Sequence, residues 1–73
     1  MTRDFLEHLE TLQALGRSCL IKWIGDNGGI ITIKAPIKFI HISGGGYIKT
    51  ETGLTISLDR LVEVEGKPAG NIA

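Results

Sequence analysis

The stretch Leu54-Thr55-Ile56-Ser57-Leu58-Asp59-Arg60-Leu61-Val62-Glu63-Val64-Glu65-Gly66 shows the cleanest alternation of apolar and polar residues in the chain. Alternation with a period of two is typical of a strand that has one face in a core. The pattern predicts two short strands that meet at a one-turn corner over Asp59-Arg60-Leu61. Their predicted apolar face consists of Leu54, Ile56, Leu58, Val62 and Val64.

Length and composition favour one small β-rich domain. A chain of 73 residues buries only about 60% of the surface that it exposes when unfolded, so its core is thin. The sequence is 42% hydrophobic, and isoleucine, its most frequent residue, suits a pleated sheet better than a helix. We predict a single helix-plus-barrel domain over residues 1–66 and a loose, disordered tail over residues 67–73.

Charge and cysteine content limit the classes of partner and the compartment. Eight basic and eight acidic residues cancel, so no global field attracts nucleic acid or anionic lipid. Cys19 is the only cysteine, which suits a reducing compartment and predicts a cytoplasmic protein. The charged start Met1-Thr2-Arg3-Asp4 does not resemble a signal peptide, and lysines interrupt every apolar run well below the ~20 residues that span a bilayer. We therefore expect no membrane contact.

The first element is an amphipathic helix from Asp4 to Leu15, with Gly16 placed to end it. His8 falls on its polar face. A helix of this length is marginal alone in water, so its apolar stripe needs a β layer to lie on. That stripe consists of Phe5, Leu6, Leu9, Leu12 and Leu15.

Strands fill the rest of the chain. Ser18 to Gly25 predicts the first, with Cys19, Ile21 and Trp23 on one face. A turn over Asp26-Asn27-Gly28-Gly29 leads into the next. Ile30 to Ile42 is either one long strand bent at Pro36 or two strands with a tight break, because proline cannot donate to a ladder. Tyr47 to Thr52 and Leu54 to Leu58 are predicted as the following two.

One N-terminal helix followed by about five short strands predicts a mostly β fold, a small five-stranded SH3-like or Sm-like barrel. The segment Gly53-Leu54-Thr55-Ile56-Ser57-Leu58-Asp59-Arg60-Leu61-Val62 is similar to the end of the Rho-binding antiterminator family, itself Sm-like. The resemblance implies binding to an RNA-handling protein through an acidic face. The chain lacks that acidic bias and the paired motifs of RNA-binding Sm proteins, so we transfer no functional residue.

Lysines interleaved with aromatic residues are the best sequence feature for a binding surface. A sheet face with lysines for phosphates and aromatic rings for bases would bind single strands without sequence preference. The alternative is that Trp23 and Phe39 belong to the core and the lysines discourage edge pairing. The candidate binding residues are Lys22, Trp23, Lys34, Lys38, Tyr47 and Lys49.

No pattern indicates catalysis, a metal or a cofactor. His8 and His41 have no cysteine or carboxylate nearby at ligand spacing. The glycine runs around Gly28 and Gly45 are followed by predicted strands, whereas a phosphate loop needs a helix after it. We find no set of acid, base and nucleophile, so we expect a protein that is not an enzyme.

Two functional hypotheses follow from the sequence. In the first, the domain is a protein-interaction or regulatory module that uses an exposed strand edge or the groove beside Trp23, with a homo-oligomer as one form. In the second, it is an Sm-like protein that binds single-stranded RNA, with strong salt dependence.

Overall fold

A computed structural model describes residues 3–70. Within this range one helix precedes a series of short strands and a single 3-10 turn. The elements are α1 (Arg3–Leu15), β1 (Cys19–Ile24), β2 (Ile30–Ala35), β3 (Ile37–His41), β4 (Tyr47–Thr50), β5 (Thr55–Ser57), the 3-10 helix η1 (Leu58–Arg60), β6 (Leu61–Val64) and β7 (Lys67–Pro68).

The strands form two antiparallel sheets. Sheet A has the order β2-β1-β6-β7 and sheet B the order β3-β4-β5. The prediction of a mostly β fold with one N-terminal helix is confirmed, but the described residues form seven strands instead of the predicted five. Over residues 3–70 no strand pairing joins the two sheets into a closed barrel.

Pro36 decides between the two alternatives for residues 30–42. The chain forms two strands there, β2 in sheet A and β3 in sheet B, with Pro36 as the single residue between them. Proline has no backbone N–H to donate to a ladder, which ends β2 at Ala35. The carbonyl of Pro36 instead accepts a hydrogen bond from the Glu51 amide at 3.0 Å.

Helix α1 covers one end of the core, as its leucine pattern predicts. Phe5 and Leu9 are completely buried, whereas Leu15 is 56% exposed. Two side chains tie the helix to the strands: Gln13 donates to the Lys38 carbonyl at 2.9 Å, and His8 Nε2 donates to the Val64 carbonyl at 2.8 Å. His8, predicted on the polar face of the helix, is half-buried and bonded to β6.

The core lies between the inner faces of the two sheets. Sheet B contributes Ile48 and Ile56, and sheet A contributes Ile21, Leu61 and Val64. The apolar face predicted for the last strand is wrong by one residue, because Leu61 is buried and Val62 is not. A β-bulge opposite Lys22 and Trp23 inserts an extra residue into β6, which changes which of its side chains face the core.

The end of the described chain is paired. In β7, Lys67 lies opposite Val64 and Pro68 opposite Glu63, and Ala69 is 1% exposed. The predicted loose tail is therefore wrong for residues 67–69, which are paired with β6 or buried. Residues 71–73 lie outside the described residues. No helix in residues 3–70 has the length and apolar character needed to cross a membrane.

Candidate binding cleft and aromatic row

The six predicted binding residues do not form one surface. Lys22 and Lys34 lie on the outer face of sheet A, since Lys34 pairs with Leu20 and side chains two apart share a face. The Lys22 ammonium lies 3.5 Å from the Glu63 carboxylate, so part of its charge is already compensated.

Trp23 points the other way, into the core, and is 9% exposed. This agrees with the alternative interpretation of Trp23 as a core residue. The same interpretation is wrong for Phe39, which is 47% exposed, because it stands on the outer face of sheet B. Lys38 lies at an irregularity between Ile37 and Phe39.

A cleft of about 550 Å³ opens beside Trp23. One wall is the end of β1 and the start of β2, where Trp23 and Ile31 line it. The other wall is residues 54–57, which include the whole of β5. The groove beside Trp23 and an exposed strand edge were alternative surfaces in the sequence analysis, and the edge of β5 lies in that groove.

Strand β5 presents an unpaired edge to this cleft. Its neighbours bond to the β4 side: Thr50 N donates to Leu54 O at 2.9 Å, and Leu58 N donates to Gly46 O at 3.2 Å. Hydrogen-bonded pairs alternate along antiparallel strands. The backbone groups of Thr55 and Ser57 therefore point away from β4, and no strand in residues 3–70 pairs with them on that side.

Charged groups mark one end of the cleft. Arg60, in η1, donates from Nη1 to the Ile24 carbonyl at 3.2 Å and lies 3.6 Å from the Asp26 carboxylate. Both side chains are well exposed to solvent, so this ion pair adds little stability. The contact with Ile24 nevertheless holds the guanidinium at the rim of the cleft.

A row of aromatic rings, Phe39, His41 and Tyr47, lies on the outer face of sheet B; we call it the aromatic row. His41 pairs with Tyr47 across β3 and β4, and their ring centroids are 5.0 Å apart. The Phe39 ring lies 6.4 Å from His41 and 6.3 Å from Tyr47. Lys49 pairs with Phe39 and so shares this face.

Of the predicted binding residues, the structure thus brings only Tyr47 and Lys49 together with Phe39 and His41. The sequence analysis missed His41 as a member of this surface. The signal was present, because Phe39 and His41 stand two apart in one strand, as do Tyr47 and Lys49 in the next. It was not used because the sequence analysis left open whether residues 30–42 form one strand or two.

Among the described residues, Cys19 has a clearly shifted pKa. Burial raises the pKa of its thiol, and the Glu65 carboxylate raises it further. The Sγ atom donates to the Ala35 carbonyl at 3.4 Å. A thiol held protonated in this way is a poor nucleophile. Residues 3–70 contain no group of three or more His, Cys, Asp or Glu side chains placed to hold a metal ion.

Comparison of the chain with models of protein families, with curated proteins and with solved structures found no match. The resemblance of residues 53–62 to the Rho-binding antiterminator family stays a prediction. The cleft and the aromatic row are the two surfaces whose geometry bears on function.

Proposed function

We propose that the protein is a protein-interaction module that binds an extended segment of a partner protein in the cleft. The observation that carries this proposal is the position of the unpaired β5 edge inside a groove that also exposes part of Trp23. Adding a strand to a free sheet edge is a common way to bind an extended peptide.

The backbone of β5 would supply the affinity. The amide and carbonyl groups of Thr55 and Ser57 face the cleft, and a peptide strand laid along them satisfies both residues. Two of the other sheet ends are less suited to this: β7 has only two residues, one of them Pro68, and α1 packs against β3. The fourth end strand, β2, contributes only Ile31 to the lining of the cleft. Short length, proline and covering elements are the usual protections of sheet edges.

The side chains around the cleft would supply the selectivity. Ile31 and Leu54 are 40% and 37% exposed and lie with Trp23 around the groove, so an apolar side chain of the peptide gains contact with all three. Arg60 at the rim is paired with Asp26 through a solvent-exposed contact, which a carboxylate at one end of the peptide can replace. We expect an extended sequence with an apolar anchor and a nearby carboxylate.

We also infer that the two sheets are the halves of a small SH3-like or Sm-like barrel that is open along the cleft. The chain crosses from sheet A to sheet B at Pro36 and returns through η1. These two crossings hold the sheets together on both sides of the core, which supports the barrel interpretation. In this arrangement a bound peptide strand occupies the gap beside β5.

Peptides selected from a random library against the folded protein test the proposal. Trp23, the only tryptophan, reports binding by its fluorescence. We expect Leu54→Glu to weaken binding by about ten-fold or more, because it places a charge against the apolar anchor. Leu20→Glu is the matched control, since Leu20 is 44% exposed but does not line the cleft, and should bind normally.

Backbone methylation of the selected peptide separates strand addition from simple side-chain binding. In strand addition, alternate peptide amides face β5, so N-methyl groups at one set of alternate positions abolish binding and those at the other set do not. Equal effects at both sets, or equal loss in the Leu54 and Leu20 variants, would show that the peptide does not pair with β5.

A further inference from the structure

We propose that the outer face of sheet B is a second binding site, for single-stranded nucleic acid, in which the aromatic row stacks bases and Lys49 contacts a phosphate. The site is separate from the cleft, because neither Phe39 nor Lys49 lines the cleft. Tyr47, Thr55 and Ser57 border both surfaces, so the argument and its test rest on Phe39 and Lys49.

The rings are placed for stacking on a ligand. Phe39 is 47% exposed although it is among the largest apolar side chains of the chain, and it stands beside two further rings at centroid distances near 6 Å. His41 and Tyr47 are nearly parallel, with an interplanar angle of 24°. The exposed Phe39 ring, with His41 and Tyr47 half-buried beside it, can stack on the π-face of any base, which gives binding with little sequence preference.

The charge on this face also favours a phosphate backbone. The register places Phe39, His41, Tyr47, Lys49, Thr55 and Ser57 on the outer side of sheet B. Lys49 is the one charged residue among these positions. No carboxylate in residues 3–70 forms an ion pair with it, whereas Lys22 on sheet A is paired with Glu63.

Two acidic residues, Glu51 and Asp59, lie near the site. Glu51 follows the end of β4 and its amide is bonded to Pro36, so its backbone turns away towards the β2–β3 junction. The Asp59 carboxylate accepts a hydrogen bond from Ser57 Oγ at 2.6 Å. Because Ser57 pairs with Tyr47, this carboxylate lies at the β5 edge of the face, whereas Phe39 lies in β3, with β4 between them. An acidic peptide could use Lys49, but it has no flat groups for the rings, so a nucleic acid fits the whole surface better.

The test is binding of a labelled oligouridylate of about eight nucleotides, followed by fluorescence anisotropy at about 50 and about 200 mM salt. We expect Phe39→Leu, which keeps an apolar side chain but removes the ring, to weaken binding by roughly ten-fold. We expect Lys49→Gln to lower the slope of log affinity against log salt by roughly 0.7. Lys34→Gln, the same change on sheet A, should leave the slope unchanged.

Three further outcomes would overturn the proposal. The first is absence of binding at the lower salt concentration. The second is an equal effect of Lys34→Gln and Lys49→Gln, or no effect of Phe39→Leu, since either would indicate diffuse attraction without stacking. The third is equal binding of an oligoglutamate of matched charge, which would assign the face to an acidic protein segment.

Leu54→Glu separates this proposal from the cleft proposal. The variant should leave oligouridylate binding intact, and loss of binding would place the RNA in the cleft.

Discussion

Glu65 and Leu20 are joined by two hydrogen bonds. The Glu65 amide donates to the Leu20 carbonyl at 2.7 Å, and the Leu20 amide donates to the Glu65 carboxylate at 2.8 Å. Glu65 also has a φ of 49°, a left-handed conformation that costs most residues roughly 1 kcal/mol. This pair of hydrogen bonds, which we call the clamp, connects the start of β1 to the turn that leads from β6 into β7.

The clamp predicts an order of stabilities at position 65. We expect Glu65→Ala to lower the free energy of unfolding by about 1 kcal/mol, because the Leu20 amide loses its acceptor. Glu65→Gly should cost less, since glycine adopts positive φ without strain. Urea denaturation measures both changes in the free energy of unfolding, provided that its dependence on urea concentration is the same in each variant. Glu63→Ala is the control and should change stability by less than about 0.5 kcal/mol, because it loses only a partly exposed ion pair. Equal losses for the alanine and glycine variants at position 65 would argue against strain.

Gly46 provides a second test of backbone geometry. Its φ is 73°, and a Cβ there would clash with the Leu58 side chain and lie 2.7 Å from the His41 carbonyl oxygen. We expect Gly46→Ala to destabilise the fold by about 2 kcal/mol or more, combining strain with overpacking. Gly44 has a φ of 64° with open space around it, so Gly44→Ala should cost only about 1 kcal/mol. Thermal unfolding in which both variants lose the same stability would contradict the predicted clash.

Ile48 tests the position of the core. It is completely buried in the central strand of sheet B, so we expect Ile48→Ala to cost roughly 2–5 kcal/mol. A domain of this size is stable by only about 4–10 kcal/mol, so the variant should be largely or partly unfolded at 37 °C. Ile42→Ala is the matched control, because Ile42 is 66% exposed, and a change within about 0.5 kcal/mol is expected by chemical denaturation. Similar losses for both would mean that sheet B is packed differently.

The raised pKa of the Cys19 thiol predicts a pH dependence of stability. Burial is the main cause and the Glu65 carboxylate the second. Because the folded-state pKa lies above the ordinary value of 9.0, the protonated thiol favours folding fully below that value, and this contribution is lost as the pH rises through the folded-state pKa. We expect the stability difference between the native protein and Cys19→Ala to shrink above about pH 9. Urea denaturation across that range measures it, with alkylation of the native thiol, expected to be slow, as a second readout. A difference that stays constant with pH would show that the thiol has an ordinary acidity.

Local patterns determined much of the fold. The leucine spacing of residues 4–15, with Gly16 after it, predicts α1 almost to the residue, because helix periodicity and its terminator are local properties. The alternation of Cys19, Ile21 and Trp23 correctly predicts the buried face of β1, since strand period is also local. The turn over residues 26–29 depends on residues that accept positive φ, and it too could be predicted from the sequence.

Tertiary contacts decided the rest. The bulge opposite Lys22 and Trp23 depends on how β6 pairs with β1, so the alternation alone could not show that Leu61 replaces Val62 in the core. Residues 67–69 have no periodicity, and only their position beside β6 orders them.

The candidate sites show the same division. Lysines interleaved with aromatic residues suggested one shared surface, with a core position for Trp23 as the alternative. Two sheets facing a shared core separate Lys22 and Lys34 from Lys49 and turn Trp23 inward. A cleft exists only where elements distant in the chain meet, as β5 and the β1–β2 hairpin do here. The sequence by itself determined which segments become a helix or strands, because those preferences act over a few neighbouring residues. Which faces meet, and therefore where a ligand fits, was decided by long-range packing.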